Sequence, residues 1–250
     1  MFCLDYKNRK EVEKDGFRCK GIWSIKKQNG EAGESASQGT GRSKEEGIFQ
    51  ESRKGKEVIY YTSDLHFGYQ NKFEGRNLDT DKSIIRNWNN RVTNGDTVYI
   101  LGDIGKEGKN EENEYLCQCL SVLKGRKVLI QGNHDKLQDL RIRQQFSETY
   151  SYKEVVDVVE KKTYKVVLCH YPIMFWNGQH RGNIHLYGHL HCTDEEKMFQ
   201  KLLENVNNFF REEGTKGRKD CPEAKAYNVG CMNWNYFPIT LKEILERNRL

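Results

Sequence analysis

Val58-Ile59-Tyr60-Tyr61-Thr62-Ser63-Asp64-Leu65-His66 begins as four apolar residues and ends on a carboxylate and an imidazole. The apolar part reads as a short strand. The same transition recurs four times. Residues 97–101 lead into Gly102-Asp103, and residues 127–130 into Gly132-Asn133-His134-Asp135. Residues 164–168 lead into Cys169-His170, and residues 184–187 into Gly188-His189-Leu190-His191. Five of the seven histidines fall in these blocks, which a solvated surface would scatter. Residues two apart on a strand share a side, so Asp64/His66 and His189/His191 are each expected to offer two donors to one place.

Helical spacing predicts helices over 81–92, 111–123, 136–146 and 195–213. Further strands are predicted over 154–159 and 164–168, joined by a Lys161-Lys162-Thr163 turn. Residues 227–229 and 239–245 close the domain. Strands alternating with helices, then consecutive strands, imply an α/β protein with mixed sheets. Ligands in such folds gather beyond the carboxyl ends of strands, where the five blocks sit.

Residues 1–57 read as an N-terminal extension. From 30 to 55 they are Gly, Ser, Glu, Gln and Lys with little to bury, as in a linker or disordered segment. They hold none of the five blocks and are expected to be dispensable for chemistry. Residues 58–250 form the expected catalytic domain. The net charge is +5, of which residues 1–57 supply +3, so the catalytic part is nearly neutral and is not a nucleic-acid surface by charge. Charged residues make up 31% and mean hydropathy is −0.88. No apolar run spans a membrane, no signal-peptide core follows Met1, and the eight cysteines lack zinc-finger spacing. A cytoplasmic protein with reduced thiols is expected.

The five blocks, in this order, resemble the calcineurin-like metallophosphoesterase superfamily: D-x-H, G-D, G-N-H-D/E, a lone His, then G-H-x-H. The resemblance covers residues 58–250 and is closest to small bacterial or phage phosphoesterases. It implies a four-layer αββα sandwich of two mixed β-sheets flanked by helices. It implies two divalent ions, one held by Asp64, His66, Asp103 and His191, the other by Asp103, Asn133, His170 and His189. Asp103 would bridge them. Nitrogen and oxygen ligation without thiolate favours Mn, Fe, Zn, Co or Ni over Mg or Ca, with Mn the leading expectation. The implied reaction is hydrolysis of a phosphomonoester or phosphodiester by a metal-bridging hydroxide.

In the family, the residue at the place of His134 faces the leaving oxygen as proton donor or stabiliser. Asp135 is expected to orient that ring, to cap a helix beginning near Lys136, or both. Arg76 and Arg181 are candidate phosphate contacts. Tyr69, Phe67 and Trp176 are candidates for stacking on a base or aromatic leaving group. Cys169 and Cys192, beside ligands, are expected to be buried thiols. The 198–210 apolar stripe is read as core, and His180 and His185 have no assigned role. A small phosphate ester, with nucleotides among the candidates, is the expected partner. No membrane partner is expected, and oligomeric state is open. A nuclease acting on DNA or RNA is the alternative reading. A catalytically inactive protein-binding scaffold is a third, opposed by the intact ligand set.

Overall fold

The computed structural model describes residues 57–70, 76–214 and 217–248. All lie in the second of two units, Glu51–Leu250. The expected extension, Glu57 apart, lies outside the described residues.

Two four-stranded sheets form the centre. The first has the order β1 (Ile59–Thr62), β2 (Thr97–Ile100), β3 (Arg126–Ile130), β4 (Glu148–Tyr150), with every neighbour parallel. The second has the order β5 (Tyr152–Val159), β6 (Lys162–Cys169), β7 (Ile184–Tyr187), β8 (Lys225–Asn228). There β5 and β6 are antiparallel and the remaining neighbours parallel, so the mixing resides in this sheet. The helices are α1 (Leu78–Arg91), α2 (Asn110–Ser121), α3 (Leu140–Arg143), α4 (Asp194–Glu212) and α5 (Leu241–Arg247).

Strand alternation builds the layers. Tyr60, Val98, Ile100 and Leu129 face outward and bury Ile84 and Trp88 of α1 with Leu116 and Leu120 of α2. Their chain neighbours Tyr61, Leu101 and Ile130 face inward and meet Val166, Leu168, Ile184 and Leu186 of the second sheet. Val167, Tyr187 and Ala226 point the other way, onto Phe199 and Leu203 of α4. The order is helices, sheet, sheet, helix, as the four-layer expectation required. Among the described residues, no helix is long and apolar enough to cross a membrane.

Several expected elements moved. Helix α1 starts three residues early because the Asn77 side chain accepts the Asp79 and Thr80 amides. The helix expected over 136–146 shrinks to one turn, α3. The Glu107 carboxylate takes the amides of Lys136 and Leu137, Leu137 has φ +52°, and Asp139 supplies the cap. The β5–β6 turn is Glu160-Lys161, both at positive φ, with Val159 opposite Lys162. That is a two-residue turn with the type I′ signature. On α4 only Phe199 and Leu203 are buried, while Met198, Leu202 and Phe209 are exposed, so the 198–210 stripe is only partly core.

His185, without a role in the sequence, is a fully buried strand residue. Its Nε2 accepts the Ile173 amide and its Nδ1 faces the Val167 carbonyl. Burial lowers its pKa to about 4. The unfolded chain takes up this proton near pH 6.5, whereas the folded chain resists until about 4. Stability is therefore expected to fall as pH drops from 6.5 through 4, by about 3 kcal/mol from this ring. An NMR titration should place the His185 midpoint near 4, and a midpoint near 6.5 would contradict the assignment.

Candidate metal centre

All five blocks lie past the carboxyl ends of strands. Asp64 and His66 follow β1, Asp103 follows β2, Asn133 and His134 follow β3, His170 follows β6, and His189 and His191 follow β7. The two sheets bring these ends together. Ligand atoms of Asp64, His66, Asp103 and His191 lie within 4.8 Å of one another, and so do those of Asp103, His170 and His189. Asp103 belongs to both groups.

Convergence does not come from strand alternation. β1 stops at Thr62 and β7 at Tyr187, before either donor pair. Instead Asp64, His66, Asp103, His189 and His191 have φ between +46° and +68°. Such left-handed backbone costs on the order of 1–3 kcal/mol per residue and clusters at functional sites. The Asp64–His66, Gly102–Asp103 and His189–His191 blocks are sharp turns rather than strand ends, whereas His170 directly follows the last residue of β6. Two glycines show how little room remains. A Cβ on Gly102, itself at φ +86°, would sit 2.5 Å from His170 Nδ1. One on Gly188 would collide with Ser63 Oγ and come within 2.7 Å of Asp64 Oδ2.

The donor atoms face each other. His66 Nε2 and His191 Nε2 are 3.1 Å apart, and His66 Nε2 is 3.7 Å from Asp103 Oδ2. His191 Nε2 is 3.5 Å from Asp64 Oδ1. His170 donates from Nδ1 to the Leu101 carbonyl at 2.7 Å, which leaves a lone pair on Nε2. That lone pair meets Asn133 Oδ1 at 3.0 Å and Asp103 Oδ1 at 3.6 Å. Lone pairs directed at one another repel unless a cation lies between them. The donor set of two carboxylates, four imidazoles and one amide oxygen thus fits divalent ions of borderline softness.

Protonation agrees with this. Burial lowers the His66 pKa to about 4, against the pull of Asp64. His189 is lowered by burial and by the nearby charge of His170. Burial pushes the Asp64 carboxyl up, but the hydrogen bond and charge of His191, with the charges of His170 and His66, outweigh it and hold it below the ordinary value. At neutral pH the His66 and His189 rings are therefore neutral and offer lone pairs, and the Asp64 carboxylate is ionised.

Several sequence expectations change. Asp135 neither caps a helix nor touches the His134 ring. Its carboxylate accepts the amides of Asp103, Ile104 and Gly132 at 2.8–2.9 Å, tying two ligand loops together. Burial pushes its pKa up despite these amides. Asp135→Ala orphans three amides and is expected to cost about 3 kcal/mol or more in urea unfolding. An unchanged unfolding midpoint would refute this structural role.

Arg76 is buried rather than free to hold a phosphate. Its guanidinium donates to the carbonyls of Leu65 and Asp64 and to Cys231 Sγ, bracing the turn that carries Asp64 and His66. Arg181 precedes β7, whereas the donors follow it, so it stands toward the opposite end of that strand. Phe67 and Trp176 are core residues, which leaves Tyr69 at the rim. Cys192 is exposed and its thiol donates to Asn233 Oδ1; Cys169 is half-buried. Exposed His134 and Tyr171 stand beside the donors, with the Tyr171 ring edge-on to His189 at 4.8 Å. Nothing in the sequence singled out Tyr171 beyond its place next to His170.

Comparison with known proteins decides the family. Residues 58–220 match the calcineurin-like phosphoesterase family. The chain belongs to that family. Its relatives include the uncharacterized protein MJ1445 of Methanocaldococcus jannaschii, 31% identical over 195 residues, 75% of this chain and 89% of that one. The gene 66 protein of Mycobacterium phage L5 is 40% identical over 81 residues, 30% of this chain and 39% of the phage protein. In structure the chain is similar to the protein of unknown function AQ665 from Aquifex aeolicus. That match has a TM-score of 0.48 and 24% identity, and covers 77% of this chain and all of the other. A calcineurin-like phosphoesterase domain carrying a convergent Asp/His cluster is therefore in hand.

Proposed function

We propose that this calcineurin-like domain hydrolyses a phosphomonoester or phosphodiester using two divalent ions that share Asp103. The observation that carries the reading is the pair of donor groups meeting at one carboxylate, with exposed His134 beside them. Asp64, His66, Asp103 and His191 would hold one ion, and Asp103, Asn133, His170 and His189 the other. When bound, two such ions acidify a water and neutralise phosphoryl oxygens. With Asp64 and Asp103 as the only anionic donors, the centre keeps about two positive charges, which suits a phosphate ester.

The chain's own residues do the rest. His134 is fixed at its backbone, where its amide donates to Asp103 Oδ1 at 3.0 Å. Its ring stands exposed, 5.7 Å centroid to centroid from His66. In the proposed step the P–O bond to the leaving group breaks and its electron pair goes to the leaving oxygen. That oxygen takes the Nε2 proton of His134. Water supplies the new P–O bond, and the proton it sheds restores the ring. Buried Arg76 and Asp135 keep the loops in place throughout.

Reconstitution of chelator-stripped protein with manganese, zinc, iron, cobalt or nickel, followed by a screen of aryl and nucleoside mono- and diesters, tests the reading. Metal-dependent release of phosphate or alcohol from one substrate class supports it. No turnover with any metal at full occupancy contradicts it.

A further inference from the structure

Among the described residues, no side-chain carboxylate is hydrogen-bonded to the His134 ring, the partner that an acid–base histidine commonly uses. Asp135 spends both oxygens on backbone amides, and Asp103 takes the His134 amide rather than the ring. Among the described residues, the polar group at His134 Nδ1 is the Tyr69 hydroxyl, at 3.4 Å. We propose that Tyr69 is the positioning residue for His134: its hydroxyl oxygen receives Nδ1–H, so that Nε2 is the nitrogen presented to the leaving oxygen. This rests on the reading of His134 as proton donor.

Tyr69 is placed without help from His134. His66-Phe67-Gly68-Tyr69 is a turn in which the Tyr69 amide donates to the His66 carbonyl at 3.1 Å, with Gly68 at φ +78° in the third position. Glycine is the residue such a turn requires there. The Gly68 amide donates to Asp81 Oδ2 at 2.9 Å, and the same oxygen receives the Tyr115 hydroxyl at 2.9 Å. Phe67 is fully buried; its amide donates to the Ile104 carbonyl and its own carbonyl accepts the Lys106 amide. The turn is thus pinned through its backbone on both sides. The Tyr69 ring then lies edge-on to His66 at 5.0 Å and to His134 at 5.9 Å. Buried Asp81, on helix α1, acquires a purpose, since it anchors the turn that carries both a donor imidazole and the phenol.

The phenol suits both charge states of the ring. The imidazolium donates from Nδ1 to the phenol oxygen while Nε2–H faces the leaving group. After proton transfer the neutral ring retains Nδ1–H on the same oxygen. Nε2 is left with a lone pair ready for a proton from water. A ring without this partner is free to adopt the opposite tautomer, in which the lone pair that must take up the next proton sits on Nδ1, away from the leaving oxygen and the attacking water.

Tyr69→Phe keeps the ring contacts and removes the hydroxyl. With an alkyl or nucleoside ester, kcat is expected to fall about tenfold with KM within about twofold, the scale of one hydrogen bond. The drop should shrink for a nitrophenyl ester. In a His134→Ala background, adding Tyr69→Phe should change nothing, because the phenol acts through the imidazole. Independently of turnover, ¹⁵N NMR of the zinc-loaded protein should show neutral His134 as the Nδ1–H tautomer in the wild type. Tyr69→Phe should shift it toward Nε2–H. An undiminished kcat, an equal drop in the His134→Ala background, a loss of bound zinc, or an unchanged tautomer each overturns the proposal. If the wild type with two ions turns over no ester, the phosphoesterase reading fails, while the tautomer comparison still decides the role of Tyr69.

Discussion

Asp103→Asn is expected to lose both ions' worth of chemistry at once. Asp103 is the carboxylate common to the two donor groups, 3.7 Å from His66 Nε2 through one oxygen and 3.6 Å from His170 Nε2 through the other. An amide keeps one acceptor oxygen but presents N–H where a second ion would need a lone pair. It also removes one of the two negative charges in the centre. A two-metal clamp contributes several kcal/mol to phosphoryl transfer, so turnover should fall by about 10³-fold or more. The comparison that isolates the bridge is His66→Ala, whose donor belongs to one group alone. Bound metal per chain should drop toward zero in Asp103→Asn and toward one in His66→Ala. Retention of two ions by Asp103→Asn would show that the carboxylate is not shared.

His134→Ala is expected to keep both ions and lose turnover. Its ring is in neither donor group and is exposed beside them. General acid assistance contributes about 10²–10⁴-fold when the leaving oxygen needs its proton. An alkyl or nucleoside leaving group needs it; nitrophenolate barely does. The loss should therefore be large for the first and small for the second within a single variant, which separates proton donation from misfolding. Equal losses would assign His134 to phosphoryl charge or site shape. A parallel loss of metal would make it a structural residue.

The fold was legible where apolar runs are short and bounded. The expected strand at 184–187 coincides with β7, and those at 97–101 and 127–130 lie within one residue of β2 and β3 at either end. β4 was invisible because Glu148-Thr149-Tyr150 has no apolar run and earns its place by pairing with β3. Helix α3 was overdrawn because a distant carboxylate, Glu107, competes for the amides that would have begun it. No local pattern can report a partner about thirty residues away.

The convergence of the candidate donors was legible because order, glycines and spacing combine. All seven expected ligands meet, although the reason is five left-handed residues rather than strand alternation. The supporting residues were misread for a common cause. Arg76 and Asp135 looked like functional charges, and both are buried against backbone groups. Sequence shows that a charge is present near a site; only packing shows whether it faces substrate or holds a loop. Tyr69 was noticed as an aromatic, but its contact with His134 crosses from the β1 loop to the β3 loop.

The most direct test of the two-ion account is turnover of a phosphate ester measured against metal equivalents added to chelator-stripped full-length protein. The account predicts no turnover in the stripped protein and a rise that saturates at two ions per chain. Full turnover without metal, or two tightly bound ions with no hydrolysis of any mono- or diester, would contradict it.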